Sequence, residues 1–263
     1  MKKDSFVTVY GSADCLPARN NDGANYLIGN TLKIDLGWFS VGSLLNDGID
    51  PSKIDTLLLT HMHTDHTMAL PQLLMYRWVT TGYVDGLTIV GPKEQLRGRY
   101  EAAYEYAFWE YPELRASRAF GDATLLEWDG GDNTVFGDYK VESTSSNHAL
   151  PGLCYRITHI PTGHSVGFSG DTMYQEKYDE FFRDCDVLFY ECSWGEGPLD
   201  DELNKDCKHS SVYEAVKAAE QSHSKRLVLT HCRTEKQAAA LARATTLSDM
   251  DITFAKFGEM VEF

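Results

Sequence analysis

The stretch His61-Met62-His63-Thr64-Asp65-His66 has the pattern H-x-H-x-D-H and directly follows an apolar run at 57–60. Imidazole is the commonest ligand for zinc and similar metals, and carboxylates extend the set of donors. His61 and His63 are two residues apart, so an extended backbone points both to the same side. Asp65 and His66 then face elsewhere as the chain turns into a helix. A solvated polar turn is the alternative, but four ligand-type residues at this spacing favour a metal site with room for two ions.

Three further candidate ligands follow short strand-like runs. The runs lie at 141–143, 166–170 and 227–230, and they lead to His148, Asp171 and His231. Loops at strand ends collect functional groups on a rigid scaffold. A lone histidine after a strand is usually a surface residue or a satisfied core residue. Four such coincidences in one chain indicate a shared site instead.

The composition indicates a folded globular protein. The chain has 263 residues, of which 43% are hydrophobic and 12% aromatic, so it can bury a substantial core. The formal net charge is -15, which opposes nonspecific attraction to nucleic acid or to an anionic membrane. The six cysteines form no C-x-x-C pair, and this scatter fits a reducing compartment better than a disulfide scaffold. Residues 1–5 lack the apolar stretch of a signal peptide, and no segment is apolar enough to span a membrane. We therefore expect a soluble cytoplasmic protein.

Strand and helix patterns alternate along the whole chain, which predicts an α/β protein whose sheets are covered by helices. No linker-like segment divides it, so we predict a single domain over residues 1–263. The predicted strands are 6–10, 25–28, 31–35, 55–60, 87–90, 139–143, 153–158, 166–169, 187–190, 227–230 and 252–255. The predicted helices are 65–79, 94–109, 175–183, 211–222 and 236–246, and 161–163 is a hairpin turn.

The order of these motifs resembles the metallo-β-lactamase superfamily, and more narrowly its ribonuclease Z branch of phosphodiesterases. The likeness runs from residue 11 to residue 231. Besides H-x-H-x-D-H it includes the stretches 11–13, 16–17, 19–20, 65–74, 91–93, 170–172, 186–188 with Glu191, 209–211, and 230–231. The resemblance implies a four-layer αββα sandwich with two divalent metal ions at the edge between the sheets.

By that resemblance, one ion takes His61, His63 and His148, and the other takes Asp65, His66 and His231. Asp171 would bridge them, because a carboxylate has two oxygens to share. Zinc is the expected ion for a histidine-rich set, with manganese and iron as alternatives. Two such ions can hold a bridging hydroxide that attacks phosphorus, with Asp65 orienting it.

In the ribonuclease Z pattern the histidine of His209-Ser210-Ser211 is catalytic rather than a ligand. Glu191 is the acidic residue expected to orient it, and a histidine held by a carboxylate is a suitable proton donor for the leaving oxygen. The plainer alternatives are a polar residue at a helix entrance for His209, and a carboxylate that binds backbone amides for Glu191.

The chain also departs from the branch pattern. Only residues 149–169 separate His148 from Gly170, which leaves no room for the basic arm that grips transfer RNA in bacterial ribonuclease Z. Ala69 stands where the family commonly has glycine, and Cys232-Arg233-Thr234 replaces its Ser and Arg-Tyr pair. We therefore expect a phosphodiesterase for small or cyclic substrates. The alternatives are transfer-RNA 3′-end processing, hydrolysis of a lactone, thioester or sulfate ester, and a metal-loaded binding module without activity.

Other residues give weaker indications. His159, His164 and His223 are expected to be solvated surface residues. Six aromatic residues between 100 and 111 either pack a helix on a sheet or form a base-stacking or subunit surface. A homodimer is suggested only by the family resemblance.

Overall fold

Two sheets of seven strands each form the centre of the computed structural model, which describes residues 5–263 apart from the side chain of residue 201. The first sheet has the order β14-β1-β2-β3-β4-β5-β6 and contains Phe6–Gly11 (β1), Asn25–Ile28 (β2), Leu32–Ile34 (β3), Thr56–Leu58 (β4), Thr88–Pro92 (β5), Thr124–Trp128 (β6) and Met260–Glu262 (β14). The second has the order β13-β12-β11-β10-β9-β8-β7 and contains Asn133–Phe136 (β7), Tyr139–Ser145 (β8), Leu153–His159 (β9), Ser165–Phe168 (β10), Val187–Glu191 (β11), Arg226–Thr230 (β12) and Asp251–Phe254 (β13).

Helices lie on the outer face of each sheet. Between the strands of the first sheet the chain forms Ser40–Asn46 (α1), Thr64–Thr67 (α2), Leu70–Thr81 (α3), Leu96–Ala107 (α4) and Pro112–Ala116 (α5), with a short 3-10 turn at Pro51–Lys53. The second carries Lys177–Phe181 (α6), Asp201–Cys207 (α7), Val212–Gln221 (α8) and Gln237–Leu247 (α9). The α/β class and the four-layer αββα sandwich predicted from the sequence are confirmed.

The protein has three apolar layers, one between the sheets and one between each sheet and its helices, because side chains alternate in direction along a strand. Successive side chains of a strand point to opposite faces of the sheet. Leu58 and Phe189 therefore enter the core between the sheets, while Leu57 packs under α3 and α4 and Leu188 packs under α6 and α8. Strands buried on both faces read as continuous apolar runs, which is why β4, β11 and β12 were visible in the sequence.

The parallel strands set the position of the site. β3, β4, β5 and β6 run parallel in the first sheet, and β10, β11, β12 and β13 run parallel in the second. The carboxyl ends of neighbouring parallel strands meet at one edge of a sheet, which is where ligand sites form in such sheets.

Several predicted element boundaries need correction. The predicted helix 65–79 is two helices, α2 and α3, because the ring of Pro71 would clash with the carbonyl of Thr67, four residues earlier. The strands β6, β7 and β14 and the helices α1, α5 and α7 were not predicted. β7 is half-exposed and β14 has only three residues, so neither has the apolar run that revealed the interior strands.

Of the three histidines predicted to lie at the surface, two are exposed and one is buried. His164 and His223 are exposed as expected, but His159 is buried at 5% exposure, with its ring on Tyr139 and Nδ1 2.9 Å from Oγ1 of Thr162. The turn at 161–163 joins β9 and β10 as predicted. A single domain over residues 1–263 stays a prediction. The absence of a signal peptide was argued from residues 1–5, and four of these five residues lie outside the described residues.

The aromatic residues in and after α4 lie partly in the core and partly on the protein surface. Tyr100, Tyr104 and Phe108 are buried against the first sheet, as the packing alternative predicts. Tyr106 and Trp109 are exposed at 76% and 69%.

Within residues 5–263 the structure contains no helix that is long and apolar enough to cross a membrane.

Candidate metal centre

The H-x-H-x-D-H stretch lies where β4 ends and α2 begins. His61 follows the strand, His63 is the residue that caps the N-terminus of α2, and Asp65 and His66 occupy its first turn. A helical turn rotates each residue by about 100° from the last, so the pair in α2 points away from the pair before it. This local geometry divides one short stretch between two groups of donor atoms.

The second sheet supplies the other donors. His148 follows β8, Asp171 follows β10 and His231 follows β12, all on loops at the edge that faces His61. Gly170 has a φ of +56° and lies so close to Thr60 that a Cβ atom there would be 2.9 Å from the Thr60 Cβ. A side chain at position 170 would therefore hold the two sheets apart at the site.

The structure brings all seven predicted ligands together in two groups that share Asp171. One group contains His61, His63, His148 and Asp171, and the other contains Asp65, His66, Asp171 and His231. The donor atoms of each group lie within 4.8 Å of one another. Oδ2 of Asp171 is 3.6 Å from Nε2 of His61, while Oδ1 is 3.4 Å from Nε2 of both His66 and His231. The two carboxylate oxygens thus face different groups.

The contacts between the nitrogens fit a cation at each group. Nε2 of His61 is 2.9 Å from Nδ1 of His63, and Nε2 of His66 is 3.2 Å from Nε2 of His231. At these distances one ring nitrogen can donate to the other, and the same pair of nitrogens can also face a shared cation. Oδ1 of Asp171 is buried and has no hydrogen-bond partner among the described residues. Its charged neighbours are Nε2 of His66 and of His231 at 3.4 Å, and a metal ion between these atoms would bind the oxygen directly.

Burial and neighbouring charge set the protonation of the first group. Burial lowers the pKa of His61, His63 and His148 below the usual range, so these rings are neutral near pH 7. Neutral imidazole is the form that binds metal. The site therefore keeps these donors ready for a cation.

The second group is dominated by its carboxylates. Burial lowers the pKa of His66, but Asp171, Asp35 and Asp65 outweigh it and raise the pKa well above the usual value. For the same reason the pKa of His231 is raised, mainly by Asp171 against burial. Burial raises the pKa of Asp171, but His231, His66 and His61 outweigh it and lower that pKa well below the usual range. The carboxylates are charged and attract positive charge to this group.

His209 and Glu191 meet beside the second group. Nδ1 of His209 is 2.9 Å from Oε1 of Glu191, a fully buried carboxylate at the end of β11. Burial lowers the pKa of His209, but the Glu191 charge and hydrogen bond, with Asp171, outweigh it and raise the pKa to about 10. Asn204 accepts from the His209 backbone N–H and donates to its carbonyl, both at 2.8 Å, which fixes the loop.

Two residues that contact the candidate ligands were not predicted from the sequence. Asp35 accepts hydrogen bonds from Nδ1 of His66, from the Thr60 backbone N–H and from the Thr60 hydroxyl, each at 2.8 Å. Ser193 contacts Glu191, His209 and His231. Asp35 follows β3 as the ligands follow their strands, so the same positional signal could have found it. Nothing in the sequence distinguishes Ser193 from any other loop serine.

A cleft of about 610 Å³ opens over these groups. His63, Asp65, Asp171, His209 and His231 reach it, and its walls are formed by Asp14, Cys15, Thr64, Ser193, Trp194, Cys207, Arg233 and Lys236. A smaller enclosed space lies below the second group, between the sheets. The open cleft is the route by which a substrate reaches the donor atoms.

The sequence profile of the Beta-lactamase superfamily domain matches residues 43–232, which is most of the chain. The chain belongs to this superfamily. Ribonuclease Z of Bacillus subtilis is 28% identical over 246 residues, covering 78% of this chain and 79% of that protein. Ribonuclease Z of a Mycobacterium species (strain KMS) is 28% identical over 86% of this chain and 83% of its own length.

The crystal structure of the metallo-β-lactamase fold protein YhfI from Bacillus subtilis has a TM-score of 0.79 with 22% identity, and it covers 98% of both chains. This likeness shows the shared fold. The predicted family is confirmed, as is the prediction of a metal-dependent hydrolase, because the relatives are ribonuclease Z proteins and the His/Asp cluster fits a dinuclear site. Family and cluster together indicate that this protein binds divalent metal.

Proposed function

We propose that this superfamily member is a phosphodiesterase that binds two zinc ions and acts on small or cyclic phosphodiesters. The observation that carries the proposal is Asp171, whose two oxygens face two separate groups of histidines. His61, His63 and His148 would hold one ion, and Asp65, His66 and His231 would hold the other. Asp171 would be shared.

The donor set supports zinc. Five of the seven donors are imidazoles, and zinc prefers nitrogen ligands where manganese prefers more oxygen. Manganese and iron remain the alternatives for the same positions. When bound, the two ions would supply an activated water at neutral pH and positive charge for the phosphoryl oxygens.

The chain's own groups would complete the reaction. Asp65 reaches the cleft and would orient the attacking water by accepting a hydrogen bond from it. His209, protonated because of Glu191, would donate the proton from Nε2 to the departing oxygen. Nδ1 is already committed to Glu191, so the ring is held with its other nitrogen free for this role.

Arg233 and Lys236 support an anionic substrate of limited size. Both line the cleft in a protein whose formal net charge is -15. Lys236 forms no ion pair within the part of the chain that the structure describes, whereas Arg233 pairs with Asp14 at 3.1 Å. The turn between β9 and β10 spans only residues 160–164, so no long basic arm extends from this position. Binding of a long RNA depends on many cationic contacts.

Transfer-RNA 3′-end processing is the second candidate, because the curated relatives at 28% identity are named ribonuclease Z. A homodimer would be one way to enlarge the binding surface. The exposed Tyr106, Trp109 and Met75 on the α3–α4 face support such an interface.

A cytoplasmic location also stays part of the proposal, supported by six cysteines that form no disulfide.

One experiment separates the two candidates. Metal-analysed protein is given bis-p-nitrophenyl phosphate and, in parallel, an unprocessed transfer-RNA precursor. The proposal predicts turnover of the small diester without site-specific cleavage of the precursor. Site-specific cleavage of the precursor would establish the ribonuclease instead. Protein that holds two ions and turns over neither substrate would refute the phosphodiesterase.

A further inference from the structure

The hydroxyl of Ser193 lies at the junction between the second group of donors and the His209–Glu191 pair. Its Oγ is 2.9 Å from Nδ1 of His231 and 2.8 Å from Oε2 of Glu191. It is also 3.3 Å from Nδ1 of His209 and 2.9 Å from the His231 carbonyl. Ser193 follows β11 directly after Cys192, and the side chain is half-buried. No role for this residue follows from the proposed reaction itself.

The proton on the His231 ring decides which atom donates and which accepts in these hydrogen bonds. Nε2 of His231 faces Asp65 and Asp171, at 3.3 and 3.4 Å. A ring that binds an ion through Nε2 carries its proton on Nδ1. Ser193 Oγ is the partner of that Nδ1 among residues 5–263. The hydroxyl therefore accepts from His231 and has one proton left to donate.

Oε2 of Glu191 is the nearest acceptor for that remaining proton. The other oxygen of Glu191, Oε1, accepts from Nδ1 of His209 and from the Thr172 backbone N–H. A continuous path thus runs from His231 through Ser193 and Glu191 to His209. Every link is a hydrogen bond of 2.9 Å or less.

We propose that Ser193 is a positioning residue that holds His231 with Nε2 free for the ion and connects the ion to the His209–Glu191 pair. This inference rests on the proposed role of His231 as a ligand. Residues that hydrogen-bond the distal nitrogen of a ligand histidine fix its orientation, and their loss typically weakens metal binding about 10- to 100-fold.

The hydroxyl can be removed without disturbing the turn that carries it. The Ser193 backbone N–H donates to Oε2 of Glu191 at 3.0 Å, and this bond does not need the side chain. Ser193→Ala deletes only the hydroxyl contacts, and Ser193→Thr restores a hydroxyl at the same carbon. A matched control is Ser248→Ala, which removes a hydroxyl that accepts from the Met250 backbone N–H, outside the cleft.

The test measures zinc rather than activity. Zinc bound per chain is followed by equilibrium dialysis against a chelator that sets the free zinc concentration. We expect Ser193→Ala to bind one of the two ions about 10- to 100-fold more weakly, with the other ion unchanged and with Ser193→Thr close to wild type. Wild-type affinity for both ions in Ser193→Ala overturns the proposal, as does equal weakening in Ser193→Thr.

His231→Ala distinguishes the two ways of failing. If His231→Ala loses one ion while Ser193→Ala loses none, the ligand assignment holds and the inference about Ser193 is wrong. If His231→Ala keeps both ions, the assignment of His231 fails first, and the inference falls with it. Circular dichroism of the metal-free variants shows whether each one is folded.

Discussion

Nδ1 of His209 is 2.9 Å from a buried oxygen of Glu191, and the ring lies 4.8 Å from the ring of His148, centre to centre. His209 therefore stands beside both groups of donor atoms while it belongs to the Glu191 pair. Metal binding alone does not require such a pair. This arrangement favours a catalytic site over a binding module.

Replacement of His209 by alanine tests its role as the proton donor. We expect His209→Ala to keep both ions and to lose about 10²- to 10⁴-fold in kcat on a phosphodiester, the range of general acid catalysis. Steady-state kinetics and metal analysis of the same preparation measure both properties. His164→Ala, an exposed histidine at the β9–β10 turn, is the control. Unchanged kcat in His209→Ala would remove this residue from the mechanism.

Asp35 should control how firmly His66 is held. Asn is the suitable substitution, because it tolerates the left-handed backbone of Asp35, whose φ is 49°. The amide cannot accept all three hydrogen bonds that the carboxylate accepts. We expect Asp35→Asn to weaken zinc binding about 10- to 100-fold, measured by chelator competition. The exposed Asp249→Asn is the control, and wild-type affinity in Asp35→Asn would contradict the account.

Lys33 should make the stability of the fold depend on pH. Its ammonium nitrogen is fully buried against the carbonyls of Tyr26, Ile34 and Asp35, and burial lowers its pKa from 10.5 to about 7. Between these two pH values the unfolded chain binds a proton that the folded chain does not. The free energy of unfolding therefore gains a component that rises with pH, by up to about 1.4 kcal/mol per pH unit.

Lys33→Met removes this component. Urea unfolding of metal-free protein between pH 7 and pH 10 should show a shallower rise, or none, relative to the wild type. Lys53→Met, which removes an exposed lysine, should keep the wild-type slope. Identical slopes in the wild type and Lys33→Met would show that Lys33 stays charged in the folded protein.

The grouping of the candidate ligands was easier to predict from the sequence than the element boundaries around them. His61 and Asp171 are polar residues placed directly after apolar strands, where packing gives no reason for them. The edge strand β7 and the short β14 carry no such contrast. His159 was predicted to be exposed because it adjoins a turn, yet tertiary packing on Tyr139 buries it. Ser193 depends on contacts among 191, 209 and 231, which are distant in sequence and meet only in the folded chain.

A zinc titration of chelator-stripped protein, with hydrolysis of bis-p-nitrophenyl phosphate and bound zinc followed together, tests whether turnover depends on two ions. We expect stripping to abolish turnover, activity to return as the second equivalent of zinc binds, and Asp171→Ala to fail to recover it. Turnover that survives stripping, or that is the same in Asp171→Ala, would contradict a phosphodiesterase built on two ions that share Asp171.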